Sequence, residues 1–112
     1  MGLEYADEKF SNAVHVLATH RAAIKERLVA ALRGGVSSVQ MERDVPEGLH
    51  DEYRKFLERI TSGSPVSSEG SLAASVREMS EDEAVEVASL IMQFEYEFRV
   101  RLEEERKGSS QR

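Results

Sequence analysis

Apolar residues recur at helical spacing through the first third of the chain. Wrapped at roughly 100° per residue, the residues between Leu3 and Arg33 place their apolar members in one stripe. This pattern predicts a single long helix over about residues 5–33, ended by Gly34-Gly35, because glycine takes the left-handed cap conformation without a Cβ clash. Part of the stripe repeats every seventh residue, as in a coiled coil. The members of that repeat are Leu3, Phe10, Leu17, Ile24 and Ala31.

The middle of the chain predicts two shorter helices. Pro46 suits a first helical turn, and apolar residues follow it at helical spacing, which indicates a helix over about 47–61. A second short helix is predicted over about 72–79 from the spacing of Leu72, Val76 and Met79. Between them, residues 61–71 are rich in Ser, Gly and Pro and predict a flexible internal loop.

The strongest local signal in the chain is the sequence Ser80-Glu81-Asp82-Glu83. A serine followed three residues later by glutamate forms a capping box, in which each side chain accepts from the other residue's amide. A long helix is therefore predicted over about 81–107, with 108–112 as a disordered tail. Apolar and charged residues alternate between Phe94 and Leu102 as in a strand, but nothing after Ser80 ends a helix, so helix is favoured.

The predicted last helix is apolar on two nearly opposite sides. One stripe contains Val87, Ile91, Phe94, Phe98 and Leu102. The second contains Val85, Met92, Tyr96 and Val100. Both apolar sides are expected to pack against other residues, because monomers rarely expose a long apolar ribbon. The second stripe is either covered within the chain, by residues of the 47–61 helix (Leu49, Tyr53, Phe56 and Ile60), or forms the interface of a homodimer, which we favour.

These elements predict an all-α fold in which residues 1–112 form a single helical-bundle domain. The two long helices, about 5–33 and 81–107, are each acidic early and more basic late. Antiparallel packing places each end against the opposite charge, and surface pairs of this kind favour an orientation more than they add stability.

Composition narrows the function classes. The 112 residues include no cysteine, which excludes disulfides, thiolate metal sites and a cysteine nucleophile. The net charge of −6 argues against nucleic acid or an anionic membrane as the main partner. The start of the sequence lacks the basic and apolar regions of a signal peptide. A cytoplasmic location is the expectation.

The sequence predicts neither a metal nor another cofactor. His15 and His20 are five residues apart and do not share a helix face, and Glu47 with His50 gives only one Glu-x-x-His pair where di-iron bundles use two. Glu78-x-x-Glu81 and Glu83-x-x-Glu86 resemble half of the magnesium motif of all-α nucleotide pyrophosphohydrolases. No Glu-x-x-Asp follows them, so the motif is incomplete.

Arg21 is the candidate ligand-binding residue, with Glu95 or Glu97 beside it. A long-short-long helical dimer resembles AroQ-type chorismate mutases, which hold a dianionic substrate with arginines and a lysine. This chain has no lysine between Lys25 and Lys55, so the resemblance is one of architecture. The favoured function is a non-enzymatic interaction or regulatory protein, partnered by itself or, as a second option, by another protein. The alternative is a small enzyme or anionic-metabolite binder with a pocket around Arg21.

Overall fold

A computed structural model of the protein describes residues 2–61 and 68–110, and none of these residues belongs to a strand. The α-helices in this part of the chain are α1 (Leu3–Thr19), α2 (Ile24–Arg33), α3 (Met41–Asp44), α4 (His50–Ile60), α5 (Ser68–Glu78) and α6 (Glu81–Ser110). Short 3-10 turns lie at Val36–Ser38 and Glu47–Leu49. The predicted all-α fold is confirmed.

Helix α6 begins as its sequence predicts. The Glu83 amide donates to Ser80 Oγ at 3.1 Å, and the Ser80 amide donates to the Glu83 carboxylate at 3.3 Å. Phe94 to Leu102 is helical, and the helix continues through Gly108 to Ser110, three residues beyond its predicted end. At 1.5 Å per residue its 30 residues span about 45 Å, so α6 is nearly as long as the 50 Å long axis of the molecule.

The prediction of one continuous helix over 5–33 is wrong. Residues 20–23 are not helical, and the chain turns there so that α2 packs back against α1. The Arg27 guanidinium donates to the Leu17 carbonyl at 2.9 Å, which satisfies a backbone acceptor that the broken helix leaves open. The turn allows α2 to bury Leu28, Ala31 and Leu32 in the same core as α1.

The two arms of this helical hairpin run antiparallel. Arg27 meets Leu17 near the turn, and Gly35 meets Lys9 farther along. A Cβ at Gly35 would lie 3.0 Å from Lys9 Cδ, so a residue with a side chain would crowd this approach. The helix ends at Arg33 as predicted, but Gly34 has a φ of −72° rather than the expected left-handed conformation. Gly35 therefore allows a close approach of the two arms, and neither glycine forms the expected left-handed cap.

Aromatic side chains from three helices form the centre of the core. The Phe10 ring of α1 is 5.1 Å from that of Phe98 on α6, in a T-shaped contact. Tyr53 and Phe56 of α4 contact both Phe10 and Phe94. Asp7, one turn before Phe10, lies near Arg99 and Arg106 of α6. As the residue number increases along α1, the number of the contacting residue on α6 decreases, so these two helices are antiparallel.

The short helices are close to their predicted bounds. A 3-10 turn from Glu47 leads into α4, which ends at Ile60. Helix α5 begins at Ser68, four residues earlier than the predicted 72, so part of the predicted loop over 61–71 is helical. Residues 62–67 of that loop, and residues 111–112 of the predicted tail, lie outside the described residues.

Candidate interaction surface on helix α6

The first apolar stripe of α6 lies in the core. All five of its side chains are buried, with exposed fractions of 6% or less: Val87, Ile91, Phe94, Phe98 and Leu102. Phe94 and Phe98 pack against Phe10 of α1, and Phe94 also packs against Tyr53 and Phe56 of α4. This stripe holds α6 in the bundle and fixes which side of the helix faces solvent.

The second stripe of α6 faces outward. Val85, Met92 and Tyr96 are the large apolar side chains exposed in the described part of the chain, with exposed fractions of 51%, 54% and 59%. Val100, one turn beyond Tyr96, is half-buried. Ser89 lies between Val85 and Met92, is also exposed, and bonds back to the Val85 carbonyl. We call Val85, Ser89, Met92, Tyr96 and Val100 the outer face.

The alternative in which the same chain covers this stripe does not occur. Leu49, Tyr53, Phe56 and Ile60 are all buried, with exposed fractions of 7% or less, but they pack into the core. Tyr53 and Phe56 contact Phe94, which belongs to the inner stripe. Helix α4 thus packs on the other side of α6, and among residues 2–61 and 68–110 the outer face stays exposed.

Charged residues border the outer face. Glu86 pairs with Arg59 of α4 at 3.0 Å, and Arg99 contacts the buried carboxylate of Glu95. Glu95 also lies near Asp7 of α1. Burial, and then the charge of Glu95, raise the pKa of Asp7, and its Oδ1 is buried with no hydrogen-bond partner among the described residues.

The structure does not bring Arg21 together with Glu95 or Glu97. Arg21 is exposed in the turn between α1 and α2. Glu95 contacts Arg99, and Glu97 lies 4.0 Å from Arg101, so each carboxylate pairs with an arginine of its own helix. Because Asp7 is the α1 residue that faces Glu95, the end of α1 at Thr19 lies about 18 Å farther along the helix axis, and Arg21 lies beyond that end. The residues of the proposed anion pocket are dispersed.

A cleft of about 380 Å³ lies between the start of α4 and α6. Leu49, Leu90 and Phe94 give it an apolar floor, while Glu52, Gln93, Glu97 and Arg101 form its rim. Gly48 packs against the Arg101 guanidinium, since a Cβ there would lie 3.9 Å from both terminal nitrogens. The sequence did not indicate this cleft, because its two walls are about 45 residues apart in the chain.

Asp44 is a buried polar centre that the sequence also did not reveal. Its carboxylate accepts from the amides of Gly2 and Gln40 at 2.8 and 2.9 Å and from two guanidinium nitrogens of Arg43. The Arg43 hydrogen bonds, helped by the two amides, lower the pKa of Asp44 to about 2. The hydrogen bond from the Gly2 amide to Asp44 links the start of α1 to α3. Gly2 has a φ of +96°, a conformation that favours glycine.

No group of three or more His, Asp or Glu side chains is placed as metal ligands within residues 2–61 and 68–110. His50 Nε2 is 2.7 Å from the Val45 carbonyl. Over the same ranges, no helix is both long and apolar enough to cross a membrane.

A scan against protein-family models found no match, and searches of curated proteins and of solved structures found none either.

Proposed function

We propose that the protein is an interaction protein that acts as a homodimer, joined through the outer face of α6. The observation that carries this proposal is the exposure of Val85, Met92 and Tyr96 along one side of a helix whose opposite side is fully buried. Burying apolar area that is left in water by the single chain is the main driving force for association. A two-fold axis allows one self-complementary patch to cover itself.

The order of residues along the outer face suits an antiparallel pair of α6 helices. Val85 lies seven residues before Met92, and Val100 lies eight residues after it. A two-fold axis near Met92 would thus set Val85 of one copy opposite Val100 of the other, with Tyr96 opposite the small residue Ser89. The ribbon from Val85 to Val100 is about 22 Å long at 1.5 Å per residue.

A regulatory role and a cytoplasmic location belong to the same proposal. The support for the location is the absence of cysteine from the 112 residues. The apolar outer face also suits a helix of another protein, and the experiment below separates this possibility from self-association.

The test is the mass of the protein in solution. Light scattering after size-exclusion chromatography at micromolar concentration should give about twice the 12.6 kDa chain mass. Tyr96→Glu should shift the mass to that of a single chain and leave the helical circular dichroism unchanged, because the Tyr96 side chain is mostly in water. A carboxylate buried in the interface would be unpaired, which is costly.

Asn12→Glu is the control. Asn12 is exposed on α1, which packs on the inner side of α6, so this variant adds the same charge away from the outer face and should stay dimeric. A mass of 12.6 kDa for the unmodified chain over the whole concentration range would contradict self-association and leave another protein as the partner. A dimer that persists with Tyr96→Glu would show that association uses a different surface.

A further inference from the structure

The turn between α1 and α2 has a sequence typical of a helix interior. Its residues are His20, Arg21, Ala22 and Ala23, with no glycine or proline. Alanine and arginine are among the best helix formers. Ala23 occupies the N-cap position of α2, and alanine is a poor N-cap because its side chain has no acceptor for the first amides. Nothing local to these residues ends one helix or begins the next.

The hydrophobic pattern also runs through the turn without interruption. Leu17 and Ile24 flank the turn at the same heptad position, within the seven-residue repeat that starts at Leu3 and reaches Ala31. If residues 20–23 became helical, residues 3–33 would form one helix of about 46 Å with a continuous apolar stripe. His20, Arg21 and Ala23 are exposed in the hairpin, so their side chains do not oppose this change.

Tertiary contacts hold the hairpin closed. Ala6 and Phe10 of α1 are completely buried, and Phe10 packs against Phe98 of α6. Straightening the turn would pull α1 out of this position and expose its apolar side. The same set of contacts is offered by one other molecule, a second copy of this chain whose own α1 has left.

We propose that α1 is an exchangeable element. The turn opens into a continuous helix over residues 3–33, and α1 docks between α6, α2 and α3 of a second copy, which returns its own α1. The contacts of α1 with the rest of the bundle, including the Gly2 amide on Asp44 and the Phe10 ring on Phe98, re-form between chains, whereas the bond from Arg27 to the Leu17 carbonyl belongs to the closed turn. The closed and exchanged forms then differ mainly at the turn, which is why exchange of identical elements is a low-cost route to dimers.

This exchange is independent of the outer face of α6. It uses the inner side of the bundle, so it would proceed in the Tyr96→Glu variant, and a dimer joined only through the outer face would keep its hairpins closed. A distance measured within one chain therefore distinguishes the two modes of association.

The experiment uses the absence of cysteine in the natural sequence. Glu8→Cys and Arg33→Cys, both at exposed positions, carry nitroxide labels, and the labelled chain is diluted into excess unlabelled chain. In the closed hairpin the labels are about 10–20 Å apart, one interhelical spacing plus the reach of the labels. In the open helix, 25 residues separate them by about 38 Å. Samples are warmed to the midpoint of thermal unfolding, cooled, and measured by double electron–electron resonance from micromolar to millimolar concentration.

The expected result is two distances, with the long one growing as total concentration rises. Ala23→Ser should reduce the long population, because a serine at this N-cap position, with Glu26 three residues later, completes a capping box at the start of α2. A new N-cap favours the closed turn about fivefold, and two turns open per dimer, so the dimerisation constant should fall about twenty-five-fold. Ala22→Ser is the matched control, with the same side chain one residue before the cap position.

Arg27→Met should raise the long population, because it removes the bond that closes the hairpin at the Leu17 carbonyl. A single short distance at every concentration, in the unmodified chain and in Arg27→Met, would overturn the proposal. A long distance whose population does not change with concentration would also overturn it, because α1 would then open without exchange. Equal effects of Ala22→Ser and Ala23→Ser would contradict the role assigned to the turn.

Discussion

The two sides of α6 carry similar numbers of large apolar residues, but one side is buried and the other is largely exposed. On the inner side, Phe98 is completely buried and contacts Phe10. On the outer side, Tyr96 is only two residues away and is 59% exposed. The sequence between them gives little reason for one to be inside and the other outside. The difference arises because α1 and α4 both pack on the same side of α6.

This contrast separates two uses of apolar residues in one helix. The inner stripe contributes to folding of the single chain, since its contacts are already made there. The outer stripe makes almost no contribution to that folding, so its apolar character needs another explanation, and association is the one proposed above. The two sides should therefore respond differently to substitution, and three experiments sharpen or break the contrast.

The largest expected effect is on the inner side. Phe98→Ala removes a fully buried ring and leaves a cavity beside Phe10, which should lower the free energy of unfolding by about 3–5 kcal/mol. Tyr96→Ala, two residues away, should change it by no more than about 0.5 kcal/mol in the single chain. Urea unfolding at a protein concentration too low for dimerisation measures both changes in unfolding free energy. Similar losses for the two variants would end the distinction between the two sides.

A smaller loss of stability is expected from removing the N-cap of α6. Ser80→Ala removes the oxygen that accepts the Glu83 amide and should lower the free energy of unfolding by about 1 kcal/mol. Because the cap lies before the outer face, the mass of the folded protein in solution should not change. Thermal unfolding followed by circular dichroism gives the first quantity and light scattering the second. An unchanged melting temperature would place the start of α6 elsewhere.

The smallest effect concerns the border between the two sides, where Glu95 of α6 lies near Asp7 of α1. Burial and the Glu95 charge raise the pKa of Asp7 above 3.8, so the folded state binds its proton more tightly than the unfolded state does. Asp7→Asn should therefore stabilise the protein modestly at neutral pH. This gain should shrink as the pH falls through the raised pKa towards 3.8.

The measurement is the difference in unfolding free energy between Asp7→Asn and the unmodified chain, taken at several pH values. Asp44 has the opposite sign, because its pKa is lowered to about 2. Its contribution is present above 3.8 and is lost as the pH falls towards 2, equally in both proteins. A gain that grows as the pH falls would contradict the placement of Asp7 beside Glu95.

The starts of α6 and α2 show which helix boundaries could be predicted from the sequence. At Ser80 the residues that end up bonded are three apart in the chain, so the boundary was predictable and both bonds are present. At Ala23 the residues are those of a helix interior, and the predicted continuous helix is instead a hairpin. The bond that closes this hairpin joins Arg27 to Leu17, ten residues apart. No short sequence pattern signals a bond across a turn of this kind.

The candidate sites show the same difference between short-range and long-range contacts. Val85, Met92, Tyr96 and Val100 were grouped by helical spacing alone, and because α6 is one uninterrupted helix they do lie along one side of it. Arg21 was grouped with Glu95 and Glu97 on an assumed helix that passes through residues 20–23, and the turn there leaves Arg21 apart from both. The Asp44 centre joins Gly2 to α3, 42 residues away, so its carboxylate had no visible partner in the sequence.

The sequence by itself determined the all-α class, the start of α6 and the existence of two apolar stripes on that helix, because these depend on spacings of three to seven residues. Only the tertiary structure decided that α1 and α2 fold back on each other and which stripe of α6 is buried. Both outcomes depend on where the aromatic side chains of α1, α4 and α6 meet. That contact gathers apolar area from residues 10 to 98, and the gain from burying it exceeds the local preference of residues 20–23 for a helix.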